Sequence, residues 1–220
     1  MFASDLISTH ILPLRTSDSL QTAYERMNDF KVSHLPIVNE SDLLGILSDS
    51  VLVEQGDFSL PIGNLSLGMK FSYVYSYQHA FEVFRIISSD RLSLVPVVNS
   101  QKAFLGCITL EKMVEYGGII SSAIQPGGII VIESSDNNYS VSEIAHILES
   151  NQTKILSCSV TSNQDSRKVI ITLKLDKSDI SSDLSALSRY NYQVQYSLQE
   201  SGFHDEAQER FESFMNYLNM

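Results

Sequence analysis

The sequence predicts a chain of the α/β class in its α+β form: two copies of a helix, strand, strand, helix unit, then an antiparallel sheet backed by two helices, then a terminal helix. Three observations carry this expectation. Lys31-Val-Ser-His-Leu-Pro-Ile-Val-Asn39 returns as Arg91-Leu-Ser-Leu-Val-Pro-Val-Val-Asn99, so the two prolines lie 60 residues apart and the front of the chain is an internal duplication. Apolar residues alternate with polar ones at Val169, Ile171, Leu173 and Leu175, and again at Tyr192, Val194, Tyr196 and Leu198, the period of strands with one covered face. The 220 residues are 43% hydrophobic and 19% charged, a composition for packed cores in two or three domains rather than for a disordered chain.

Each repeat is expected to open on a helix. Leu20, Ala23, Tyr24 and Met27 stand at helical spacing, as do Ala80, Phe81, Phe84 and Ile87, and each set makes one apolar face. Asp18 or Ser19 caps the first helix and Ser76 the second, since their side-chain oxygens suit an N-cap. Residues 35–38 and 95–98 are short β-branched stretches bounded by polar turns and read as buried strands, each with its proline near the start, where a missing N–H costs little. Residues 43–47 and 104–108 pair with them through turns at 39–42 and 99–102, and helices follow at 49–55 and 110–116. Two half-size cores result, neither stable alone.

An amphipathic helix, an apolar-Pro-apolar-Val-Asn strand, a turn, and then Gly45-Ile-Leu-Ser48 or Gly106-Cys-Ile-Thr109 resemble the cystathionine β-synthase (CBS) domain, here in tandem as a Bateman module. The resemblance implies a dimer and clefts for an adenine nucleotide: AMP, ADP, ATP or a related adenosyl ligand. It places Thr16, Ser33, His34 and Ser48 around one cleft and Tyr73, Ser93, Leu94, Thr109 and Lys112 around the other. In nucleotide-binding members an Asp three residues after the hydroxyl reads the ribose diol. Val51 and Lys112 stand there instead, a change worth roughly two powers of ten in affinity if a few kcal/mol of charge-assisted hydrogen bonds are lost. Lys112 offers its charge to a phosphate. Ser48 and Thr109 also suit caps for the helices that follow, and both readings stand.

Gln125-Pro-Gly-Gly128 marks a boundary. Beyond it the pattern gives a strand at 128–133, a capping box Ser140-Val-Ser-Glu143 opening a helix with Val141, Ile144, Ile147 and Leu148 on one face, strands at 155–161 and 169–175, a helix at 179–190 and a strand at 192–198. The order βαββαβ is that of a ferredoxin-like sandwich and resembles an ACT domain. A CBS pair followed by ACT is similar to the acetoin-utilisation family of small bacterial regulatory proteins. The resemblance implies an amino-acid site at the first strand-to-helix turn, here Asp136, Asn137, Asn138 and Tyr139. That turn lacks Gly, and Asn137 or Asn138 supplies the left-handed residue. The division expected is 1–118 for the tandem pair (repeats about 1–58 and 59–118), 119–127 for a linker, 128–202 for the ACT-like domain and 203–220 for a terminal helix. In that last helix Ala207, Phe211, Phe214, Met215 and Leu218 form the apolar stripe.

Net charge is −11, which repels nucleic-acid backbones and anionic lipid. The start lacks a basic and apolar leader, and no window reaches the length of a membrane helix, so a cytoplasmic protein is expected, without nucleic-acid or membrane partners. Cys107 and Cys158 both fall in apolar stretches and are expected as buried, reduced thiols. The five histidines show no metal or acid–base spacing; no catalytic residue and no metal ligand is assigned. The function expected is a non-catalytic regulatory module that senses a small-molecule effector and acts on a protein partner as a homodimer. The alternative is a dimerisation and interaction protein with ligand-free clefts.

Overall fold

Ser19 resolves the choice of cap for the first helix. Its hydroxyl accepts the Thr22 amide at 3.1 Å, while the Asp18 carboxylate takes the Arg15 amide at 3.0 Å and the Arg26 guanidinium at 3.2 Å. From there α1 (Leu20–Phe30) runs to Lys31, whose left-handed backbone at φ 53° ends it. In the second repeat α3 (Ala80–Asp90) ends in the same way at Arg91, also at φ 53°. Its cap is not Ser76 but His79, which accepts the Phe81 amide at 3.2 Å. The Ser76 backbone is committed to a strand continuation instead, donating to Val98 and accepting from Ser4.

In the computed structural model residues 1–65, 71–135, 139–162 and 168–199 are described, and the chain divides into two units, 1–116 and 117–220. In the first unit β1 (His34–Asn39) pairs antiparallel with β2 (Asp42–Ser48), which leads into α2 (Asp49–Gln55). In the second repeat β3 (Val74–Tyr75), β4 (Leu94–Val98) and β5 (Phe104–Thr109) form a three-stranded sheet and lead into α4 (Leu110–Ile120). The helix faces are rotated from those expected. Leu20, Ala23 and Met27 are buried but Tyr24 is exposed; Ala80, Val83, Ile86 and Ile87 are buried but Phe81 is exposed. Phe81 packs edge-on against His79 at 4.8 Å instead.

The two repeats are interlocked. Residues before the first repeat serve the second: Ala3 and Leu6 enter the core of Val83, Ile87, Val95, Val97 and Ile108, the Ala3 amide donates to Gln78, and Ser8 bridges Cys107. Residues before the second repeat serve the first in the matching way. Ile62 and Leu65 enter the core of Leu20, Ala23, Leu35 and Leu52, and the Leu20 amide donates to Leu60. Ile46 of the first repeat lies in the second core, and Leu94 and Cys107 of the second lie in the first. Each core thus holds side chains from both repeats.

Both prolines sit third in their strands, further in than expected. Pro36 O accepts the Leu14 amide, and the Val38 amide donates to Leu14 O. The missing N–H of Pro36 therefore points away from β2, because N–H and C=O of one strand residue face the same side. Pro96 has the parity of Val98, whose carbonyl faces the β3 side by accepting from Ser76. Neither proline removes a bond from its hairpin ladder.

α4 extends beyond the expected 116 through Gly117 and Gly118 to Ile120. The Ser121 hydroxyl donates to Gly117 O at 2.7 Å, and Ser122, at φ 53°, closes the helix.

In the second unit β6 (Ile129–Ser135), α5 (Val141–Ser150), β7 (Ile155–Ser162), β8 (Lys168–Leu175), α6 (Ser181–Arg189) and β9 (Gln193–Leu198) follow the predicted βαββαβ order. The four strands are antiparallel in the spatial order β7, β8, β6, β9, the arrangement of a ferredoxin-like sheet. Ile130, Ile132, Val169, Ile171, Leu173 and Leu175 turn to Ile144, Ile147, Leu148 and Leu187 on the helices. Ser140 caps α5 by accepting the Glu143 amide at 3.2 Å.

The single face expected for Tyr192, Val194, Tyr196 and Leu198 is broken. Ile132 pairs with Val194 and Val131 with Tyr196, which leaves Gln195 as an extra residue. The bulge reverses the faces: Val194 packs on the core and Tyr196 is exposed. Cys107 is buried as expected. Cys158 is exposed, because β7 is an edge strand whose second half lies open. The helix expected at 203–220 lies outside the described residues.

Candidate functional site

In the first unit α1 ends and α4 begins at the same cavity. It has a volume of about 670 Å³ and takes His10 and the segment 29–32 from the first repeat, with Ser93, Thr109, Leu110, Glu111, Val114 and Glu115 from the second. Phe30, Val32, Leu110 and Val114 give it apolar walls, and Ser93 and Thr109 give it hydroxyls. Thr109 is 7% exposed, and its oxygen accepts the Lys112 amide at 3.2 Å, so it caps α4. Ser93 stands where the repeats meet: its oxygen accepts the Ser33 amide at 3.0 Å and lies 3.1 Å from His34 Nδ1, while its own amide donates to that nitrogen at 3.2 Å. The ring of His34 thereby bridges the two strand starts.

The charges around this cavity are unbalanced. Among the lining side chains Asp29, Glu111 and Glu115 stand against Lys31. Lys112 Nζ is held by Glu115 at 2.8 Å. Such a lining favours neutral or cationic ligands over polyphosphates, by a margin that solvent screening keeps small because all three carboxylates are exposed.

The other residues singled out in the sequence lie elsewhere. Thr16 exchanges hydrogen bonds with the Asn39 amide group, its oxygen accepting from Nδ2 at 2.9 Å. Ser48 precedes α2 without capping it; its hydroxyl pairs with that of Ser50 at 2.8 Å. Leu94 is fully buried in the first core. Tyr73 lines a separate cavity of about 410 Å³ with Tyr75, Gln78, Arg85 and Asp90, in edge contact with Phe71 and Tyr75. Val51, at the position of the missing carboxylate, packs against the first core. Of the cleft residues proposed from the sequence, one cavity therefore gathers Ser93 and Thr109.

The second unit has its own cavity, about 460 Å³, beside the end of β6 and the start of α5, lined by Glu133, Ser134, Glu143, Lys168 and the segment 190–193. Glu133 takes Lys168 Nζ at 2.6 Å and also accepts from the Gln195 amide. Glu143 accepts the Tyr192 hydroxyl at 2.6 Å. Burial and that carboxylate push the Tyr192 phenol up to about 12. Asp136, Asn137 and Asn138 lie outside the described residues, and Tyr139 packs against the third core. Sequence reading missed these carboxylates because the capping box accounted for Glu143, while Glu133 fell inside a strand without periodic signal.

Among the described residues no three His, Cys, Asp or Glu side chains are grouped to hold a metal ion, and no helix is long and apolar enough to cross a membrane.

Comparison with known proteins gives a family match at residues 3–55, to the CBS domain. Solved structures similar to this chain include a CBS domain pair/ACT domain protein from Thermotoga maritima, 13% identical, covering 53% of this chain and 95% of that one at a TM-score of 0.48. CBSX2 in complex with AMP is 19% identical over 53% of this chain and 95% of its own, with a TM-score of 0.46. An acetoin utilization protein (AcuB) of Vibrio cholerae is 22% identical over 53% and 90%, with a TM-score of 0.47. These values are too low to carry a ligand or a partner across. Residues 3–55 match the CBS domain, and the second repeat returns the helix, strand, strand, helix order behind a short added strand, β3, so the fold of the first unit is that of a tandem CBS pair.

Proposed function

We propose that the chain is a non-catalytic regulatory module of the CBS and ACT type that holds a small molecule between its two repeats. The observation that carries this reading is the cavity of about 670 Å³ to which both repeats contribute, with the Ser93 and Thr109 hydroxyls among apolar walls. An adenosyl compound fits that mixture, and the surrounding carboxylates rank AMP and an uncharged or cationic adenosyl ligand above ADP and ATP. In the second unit, the 460 Å³ cavity with Glu133, Glu143 and Lys168 offers both charges to an amino acid. The working division is a tandem pair at 1–118, with α4 running on to Ile120 into the linker of 119–127, and an ACT-like domain at 128–202. We propose that the chain acts in the cytoplasm on a protein partner.

Thermal melts of the full chain with AMP, ADP, ATP, S-adenosylmethionine, NAD and a set of amino acids test this reading. A ligand at 100 times its Kd adds about 2.7 kcal/mol and is expected to raise the transition of its unit by several degrees. No shift with any of them at millimolar concentration would remove the sensor reading.

A homodimer is supported by apolar residues left outward on matching helices. Val53 of α2 is 75% exposed and Val114 of α4 is 66% exposed. Leu110, one turn before Val114, extends the α4 face. Buried against a second copy, such side chains contribute roughly 1.5 to 3 kcal/mol each. Sedimentation is expected to show a dimer for the native chain and a monomer for Val53→Arg with Val114→Arg; a dimer that survives both substitutions places the interface elsewhere.

Two observations favour a second reading, a dimerisation protein without ligand. Val51 is packed inward where a ribose-reading carboxylate belongs, and Lys112 is occupied by Glu115. The same melts separate the two.

A further inference from the structure

The Ser93 hydroxyl in the cavity of the first unit is already engaged on two of its hydrogen-bonding positions. A hydroxyl offers one hydrogen and two lone pairs. One lone pair takes the Ser33 amide at 3.0 Å. The hydrogen is fixed by the neighbouring ring. His34 Nδ1 accepts the Ser93 amide at 3.2 Å, so that nitrogen carries no proton and the neutral imidazole holds its hydrogen on Nε2. The same Nδ1 lies 3.1 Å from the Ser93 oxygen. Between a hydroxyl and a ring nitrogen without a proton, the hydroxyl is the donor. Ser93 therefore keeps a single lone pair for the cavity and has no hydrogen to give. This lock rests on a difference between the repeats: Leu94 stands at the place in the second repeat that His34 holds in the first, and a hydrocarbon side chain accepts no hydrogen bond.

We infer that Ser93 makes the cavity selective for a ligand that presents an N–H to it. The inference rests on the sensor reading above, and for an adenosyl ligand the N–H is that of the amino group on the base. A base without that group sets a ring nitrogen or a C–H against Ser93, so that acceptor faces acceptor or the remaining lone pair loses water and gains no partner. Ser93 is held in this role from both sides. Its carbonyl takes the Leu110 amide at 2.9 Å, and its own amide goes to His34. A residue tied at amide, carbonyl and hydroxyl does not turn to offer its hydrogen, so the preference is in place before a ligand arrives.

Two measurements on the full chain test this. Proton–nitrogen correlation NMR of the His34 ring needs no ligand and is expected to place the proton on Nε2 at neutral pH. A proton on Nδ1 would overturn the inference and leave the sensor reading standing. Titration calorimetry then compares adenosine with purine riboside, which differs only in lacking the amino group. Adenosine is expected to bind about tenfold more tightly, the worth of one hydrogen bond. Ser93→Ala is expected to remove the difference by weakening adenosine. His34→Leu leaves the Ser93 hydroxyl in place and releases its hydrogen, so purine riboside is expected to bind more tightly, a gain that a damaged fold does not give. Equal affinities in the native chain, or a gap that survives either substitution unchanged, would overturn the inference while the sensor reading stands. Binding of neither riboside would remove the adenosyl reading and this inference with it.

Discussion

Asp183→Ala is expected to cost the second unit about 2–4 kcal/mol, the range for a buried charged acceptor removed from its donors. Asp183 is fully buried in the first turn of α6. Its carboxylate accepts the Asn151 amide at 3.0 Å and the Thr153 hydroxyl at 3.0 Å, and Thr153 is fully buried too. Position adds to this, since a carboxylate near a helix N-terminus lies at the positive end of the dipole. Truncation leaves two donors without an acceptor and opens a small void. Asp183→Asn keeps one acceptor oxygen and is expected to lose less than half as much. Urea unfolding with site-resolved amide exchange in α5 and α6 measures both, and a loss below about 1 kcal/mol for the alanine variant would show that the network contributes little.

Gly127→Ala is expected to be at least as damaging, about 3 kcal/mol or more, for a different reason. Gly127 has φ 141°, and a Cβ built on it would stand 1.9 Å from the Leu175 carbonyl oxygen and 3.0 Å from the carbonyl carbon. Those atoms belong to the backbone of β8 and cannot swing aside. Any shift also moves Gly127 O away from Lys174 Nζ, whose side chain is almost fully buried. Gly118→Ala is the control. It lies in α4 with nothing within 4 Å of the added carbon, so helix propensity alone acts and roughly 0.5–1 kcal/mol is gained. Comparable melting of the two variants would contradict the steric argument.

The duplication was legible because two Pro-centred strands and two Gly-led strands carry it in almost the same letters, and short motifs with fixed spacing survive any tertiary context. The exchange of segments was not. Residues 1–8 and 58–65 have little periodicity of their own, and nothing local says that Leu6 serves the second core while Ile62 serves the first. Helix faces were legible to within one residue, which decided wrongly for Tyr24 and Phe81: aromatic rings at a boundary position satisfy a hydrophobic pattern while their edges remain in water. In the second unit the alternation in β8 read true along its length, whereas the same pattern in β9 failed at Gln195 because a bulge is fixed by the partner strand. The candidate cavities were the least legible part. They depend on where α1 stops relative to where α4 begins, and the polar side chains that line them, Asp29 and Glu111 among them, look like ordinary surface charge in the sequence.

The placement of Pro36 has a consequence for assembly. On that side the rim of β1 is bridged by Leu14 among the described residues. A foreign strand approaching that rim would find no donor at the third residue and the Val38 amide already engaged. Chain-to-chain templating along β1 is thereby blocked at its centre.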